Sequence, residues 1–191
     1  ELSLSVQRDA AAHRYWLQQI VQADSRPGAH AEDTRRRIAR ASLDLGRLQA
    51  ADAARVPLQA PLELSLARRK AAIEAAVGTL ERAAAHGYAE ITSAATYELA
   101  SVYADFGRAL MQSERPAQLQ GDALEQYAIL LEEQAFPFEE KAIRAHEINL
   151  SRLRQGIWND AIDASVAALG ELSPAKYGKQ EQREATYDEL D

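Results

Sequence analysis

The residues in this chain best suited to chemistry are two carboxylate pairs, Glu132-Glu133 and Glu139-Glu140, on either side of Phe136-Pro137-Phe138. Helical carboxylates hold a di-iron centre when Glu-x-x-His motifs project from facing helices to complete the ligand set. The histidines are His13, His30, His86 and His146, and the residues three places before them are Ala10, Pro27, Ala83 and Ile143. The motif is missing, so no metal site is expected. Glu139 and Glu140 read instead as first-turn residues of a helix, where carboxylates complement the positive end of the dipole. Glu132 and Glu133 read as solvated, or paired with Lys141 or Arg144. The chain has no cysteine, hence no thiol nucleophile, disulfide or thiolate metal site. It also lacks a glycine-rich phosphate loop, a nucleophile elbow and a His-Glu-x-x-His motif. The expectation is a protein that is not an enzyme and binds no cofactor.

Composition says what must position these residues. Hydrophobic residues make up 47% of the 191, yet aromatic residues only 6%, and alanine supplies much of the difference. Alanine is the best helix former and buries little area per side chain, so its helices must pack closely. Val, Ile and Thr never gather into an alternating run, so the chain is expected to be all-α. A net charge of −7 opposes nucleic acid and anionic lipid as partners. The densest basic cluster, Arg35, Arg36, Arg37 and Arg40, follows Glu32 and Asp33 and reads as a solvated, partly paired helix face. No apolar stretch reaches the roughly 20 residues needed to cross a bilayer. The chain begins at Glu1 without Met, which reads as an excised or processed product.

Prolines and glycines punctuate a series of amphipathic helices. Expected helices cover residues 4–23, 31–55, 62–87, 88–113, 122–134, 138–155 and 158–172, and Ser173-Pro174 reads as a cap with proline opening a short terminal helix. Pro137 is expected to break the chain between the fifth and sixth. Stripes such as Ile38, Ala41, Leu45, Leu48 and Ala51 mark the inward faces. Residues 178–191 form a polar tail after one domain at 1–177. Short breaks make neighbours antiparallel, which allows a closed bundle or an open stack of helix pairs.

Internal repetition favours the stack. In the 34-residue tetratricopeptide repeat, small residues let paired helices approach and aromatics fill the wedge between pairs. Gly156, Trp158, Ala161-Ile162, Ala168-Leu169 and Pro174 resemble a second repeat helix and its end. Leu99-Ala100 and Tyr103 resemble a first helix, and Ala123-Leu124, Tyr127 and Leu130-Leu131 a second, with residues 108–121 as an extension between them. Residues 88–174 thus hold the clearest pairs. The string ALMQSERPAQLQGDALEQYAILLEEQAFPFEEKAI, residues 109–143, resembles the C-terminal region of bacterial tetratricopeptide proteins described as components of TonB-type systems. That resemblance implies a periplasm-facing, envelope-associated scaffold for ExbB/ExbD-like proton-driven motors.

Two features bear on binding. Phe136-Pro137-Phe138 reads as a rigid interhelical corner or, alternatively, an exposed aromatic hook. Ile143, His146, Leu150 and Leu153 share helical spacing and read as a strip that lines a concave groove for a helix or peptide, or else is buried between helices. The reading is a right-handed solenoid of about seven helices binding a protein or peptide. The rival is a purely structural spacer within a longer chain.

Overall fold

The computed structural model describes residues 2–24 and 31–178, with side chains from Asp9 onward. The break expected at residues 25–28, His30 and the tail beyond Gly178 lie outside the described residues. Seven α-helices and no strand occur among the described residues: α1 (Leu2–Asp24), α2 (Glu32–Arg55), α3 (Leu62–Ala85), α4 (Ala89–Met111), α5 (Asp122–Arg152), α6 (Asp160–Leu172) and α7 (Pro174–Tyr177). The all-α expectation holds. None of these helices is long and apolar enough to cross a membrane.

Side-chain pairs set the directions. Arg14 meets Asp52 while Leu17 and Val21 pack on Ala41 and Leu45, so α1 and α2 are antiparallel. A Cβ on Gly46 would lie 2.6 Å from Leu80 Cδ2, and Arg69 donates to the Val56 carbonyl at 3.1 Å, which runs α3 back along α2. Phe106 stacks edge-on to Phe138 at 4.5 Å and Tyr97 faces His146 at 5.6 Å, so α5 runs back along α4. The bridges Arg40–Glu90 and Arg47–Glu98 occur in the same order on both helices, which makes α2 and α4 parallel. Each helix touches its sequence neighbours. Beyond that, α2 touches α4 and α4 touches α6, whereas α1, α3 and α5 do not touch one another.

The main core joins α2, α3, α4 and α5 through Ala39, Leu43, Ile73, Leu80, Ala95, Val102, Phe106 and Ala135. α2 works on two faces at once: Ala41 and Leu45 pack on α1, while Ala39, Leu43 and Ala53 belong to this larger core. On α1 the inward face is formed by Leu17 and Val21, which are buried, while Ala10, His13 and Ile20 are exposed.

The largest correction concerns Pro137, which lies inside α5 and does not break it. The 31 residues expected to form two helices form one. Proline removes one backbone donor, here the bond to the Glu133 carbonyl, at a cost near ~3 kcal/mol in a helix interior. Both Glu133 and Pro137 face solvent, where water can reach the freed carbonyl. On the opposite face Leu131, Ala135 and Ala142 are buried and Phe138 packs on Phe106, so the core grips the helix on both sides of the proline. Phe136-Pro137-Phe138 is therefore no interhelical corner. Phe138 is a core residue, and Phe136 is 59% exposed. Glu139 and Glu140 are likewise mid-helix, and the first-turn carboxylates of α5 are Asp122 and Glu125.

After α5, a 3₁₀ turn ends at Gly156, whose φ of +75° is left-handed. No atom lies within 4 Å of where its Cβ would be, so conformation and not space calls for glycine. Trp158 is 63% exposed, which overturns its expected place in a wedge between pairs. The Asn159 side chain caps α6 by accepting from Ile162 N at 3.2 Å. Pro174 opens α7 as expected, but the Ser173 side chain makes no capping bond. Tyr177 and Lys176 donate to Glu147 at 2.5 and 2.7 Å, which returns α7 to α5.

Pro137→Ala restores the missing bond at an exposed site. The expected result is a gain of about 2 kcal/mol, read as a higher urea midpoint at unchanged slope. An unchanged or lower midpoint would mean that α5 is strained at this point by something other than its missing donor.

Candidate functional site

Where α2 and α6 flank α4, the three helices line a cleft of about 470 Å³. α2 contributes Arg40, Leu43 and Arg47, α4 contributes Glu90, Ala94, Tyr97 and Glu98, and the start of α6 contributes Asn159, Asp160, Ala161 and Ala164. A second cleft of about 200 Å³ shares Arg47 and Glu98 and reaches Ala50, Ala54, Arg69, Ser101 and Asp105. Together they follow the α2–α4 seam. Small side chains form the floor because the two helices approach closely, and charged side chains long enough to clear it form the rim.

The rim is an alternating charge ladder. Arg47 Nε bonds Glu98 at 2.7 Å and its Nη1 lies 3.8 Å from Asp44; Arg40 lies 3.7 Å from Glu90 and 3.6 Å from Asp44. These pairs are largely exposed, so each is worth ~0–1 kcal/mol and can exchange partners cheaply. Arg69 differs because it is 7% exposed, its Nε has no hydrogen-bond partner, and its guanidinium carbon sits 6.0 Å above the Phe106 ring. Burial lowers its pKa and the Asp105 carboxylate opposes that shift. An arginine stays charged through such a shift, so the floor of the smaller cleft carries a cation with an unused donor.

The strip expected to line a groove lies elsewhere. His146 is 1% exposed, so it is packed between helices, against the Tyr97 ring that forms the cleft wall. Ile143, Leu150 and Leu153 are half-buried. Of the residues singled out beforehand, Ala161 lines the cleft, while Gly156, Trp158, Pro174 and the Phe136-to-Phe138 segment do not. Ile143, His146 and Leu150 lie on α5 and Leu153 in the 3₁₀ turn after it, but spacing does not reveal which neighbour a face meets. The cleft residues left one faint signal: Arg40 and Arg47 on α2, and Glu98 and Asp105 on α4, are each seven positions apart with opposite charge. Such a ladder means something only once α2 and α4 are known to be adjacent.

Behind the cleft, buried polar groups tie three helices together. The Asn149 amide donates to the Ser93 carbonyl at 3.0 Å and to Ser165 Oγ at 2.8 Å, and Arg152 donates to the Asn149 carbonyl oxygen. These bonds fix α4, α5 and α6 in register. Among the described residues no three His, Asp or Glu side chains are grouped closely enough to hold a metal ion. Comparison with protein-family models, curated proteins and solved structures finds no match.

His146 gives the site a testable pH dependence. Burial lowers its pKa from 6.5 to about 4, so the folded protein holds it neutral. As pH falls below 6.5, the unfolded chain takes up a proton that the folded chain refuses until about pH 4. Stability is therefore lost on acidification across this window, by about 3 kcal/mol at most. Urea midpoints measured from pH 7 to 4.5 should fall for the natural chain and fall less for His146→Gln. Parallel curves would show that His146 does not govern the loss.

Proposed function

We propose that this chain is a non-enzymatic scaffold that holds a segment of another protein along the face shared by α2, α4 and α6. One observation supports the reading: α2 and α4 run parallel and α4 also touches α6, while α1, α3 and α5 pack without meeting one another. A solenoid of helix pairs would have such contacts, with one row of helices lining a continuous binding face. The tetratricopeptide-like residues quoted above, Trp158 apart, favour the same right-handed stack. The clefts on that face suit an extended or helical segment better than a small substrate. Alanines are the commonest lining residues of both clefts, which lets a backbone approach closely, and the rim offers both signs of charge. Arg69 lines the smaller cleft and adds a buried positive charge that favours a carboxylate or carbonyl of the guest nearby. The resemblance to TonB-type proteins makes an ExbB/ExbD-like envelope component the first partner to test, in a periplasmic or envelope-associated setting.

A photo-reactive residue placed at Ala94 or Ala164 in the cleft, and at exposed Glu74 on α3 as control, tests this in bacterial envelopes. Both cleft positions should give the same discrete adduct, identified by mass spectrometry, and Glu74 should not. Weakening of the adduct by Arg47→Glu would tie capture to the charge ladder. Equal labelling from all three positions, or none from the cleft, would favour the spacer reading.

A further inference from the structure

A second surface stands apart from the cleft, on the N-terminal half of α5. Ile129, Phe136, Ile143 and Leu150 are four apolar residues spaced by seven, which places them along one side of the helix. The lower half of that line is occupied. Leu172 of α6 shares a cleft with Glu139, Ser165 of α6 bonds Asn149, and Tyr177 of α7 bonds Glu147, so Ile143 and Leu150 are half-buried. The upper half is open. α5 has 31 residues and α6 has 13, about 46 Å against 20 Å of helix. Among the described residues α5 packs against α4, α6 and the turn that follows it, and its Glu147 is bonded by α7. Ile129 is 56% and Phe136 59% exposed, and with Glu132 and Glu133 they line a depression of about 380 Å³.

Charge decides what fits there. Residues 116–140 contain Asp122, Glu125, Glu132, Glu133, Glu139 and Glu140 and no Lys or Arg, a net charge of −6 within a chain of −7. Only Glu140 among them is seen paired, with Arg144 at 2.9 Å. A second copy would set this acidic stripe against itself, and anionic lipid would be repelled. We infer that the exposed Ile129–Phe136 face of α5 docks a basic amphipathic helix of a protein partner, whose apolar side covers the two side chains while its Lys and Arg meet the flanking carboxylates. This is a helix-against-helix contact continuing the line that α6 and α7 already cover, and it does not depend on the α2–α4–α6 cleft.

The probes are a labelled 18-residue Leu/Lys amphipathic peptide and its Leu/Glu counterpart, titrated with the full chain by fluorescence anisotropy at two salt concentrations. The Lys peptide should bind at least about tenfold more tightly, and less tightly at high salt. The double variant Ile129→Ala/Phe136→Ala keeps every charge and alters only exposed side chains, with circular dichroism as the folding check. It should weaken binding about tenfold or more, whereas Arg47→Ala in the cleft should leave it unchanged. Equal binding by the double variant and the natural chain would reduce the effect to unspecific charge attraction and overturn the proposal. So would equal binding of the Glu peptide. Two other occupants would overturn it in their own ways. A dimer seen by sedimentation and lost in the double variant would make a second copy the occupant. Shifts of the amide resonances of residues 179–191 in the peptide-free double variant would make it the chain's own end.

Discussion

Close approach to α4 from several sides is the constraint that organises the molecule. α4 touches α2, α3, α5 and α6, and it can do so because much of its contact surface is small: Ser93, Ala95, Ala100 and Gly107 are all buried. Buried hydroxyls on such a helix need partners, and they find them within it. Ser93 and Thr96 donate to the carbonyls four residues back at 2.8 and 2.7 Å, which leaves neighbouring helices an essentially apolar, low-relief face. Phe106 is the largest of the buried residues of α4. It is fully buried and fills the space where α3 and α5 converge, beneath Arg69 and edge-on to Phe138.

The rest of the fold follows from that central helix. α2 and α6 lie along the same side of α4 and cannot close over it, so an open seam remains between them. Because α2 and α4 are parallel, charges repeated every seven or eight residues fall into register and build a ladder across the seam. On the other side, α5 lies along α4 with enough buried surface to carry a proline through its middle. The tie of Asn149 to Ser93 and Ser165 then sets where α6 lies. Because α6 is less than half as long as α5, the same packing that seats it leaves the upper part of α5 bare.

Two faces of the molecule differ in chemistry. The seam has alternating charge, a small-residue floor and a buried arginine with an unused donor. The bare part of α5 sets exposed apolar side chains among carboxylates, with Arg115 over its Tyr127 ring. Under the proposed scaffold reading, surfaces so different in chemistry would take different partner segments.

Much of this was legible in the sequence, and the rest had identifiable reasons for staying hidden. Alanine content, helical periodicity and breakers at Pro57, Pro61, Gly87 and Gly156 determined an all-helical chain and placed the second, third and fourth helices within about two residues of their ends. These are local properties, set by backbone propensity and turn chemistry. Pro137 misled because proline's local cost is real, and only burial of Leu131, Ala135, Phe138 and Ala142 against α4 shows that it is exceeded. His146 misled in the same way: periodicity put it on an apolar stripe but could not say whether solvent or Tyr97 lay opposite. Which helices become neighbours, which faces stay uncovered and which distant charges meet depend on contacts between residues some 50 positions apart, such as Arg47 with Glu98 and Ser93 with Asn149. No pattern within a single helix encodes those distances, and so the tertiary structure alone decided where the clefts and the bare face of α5 lie.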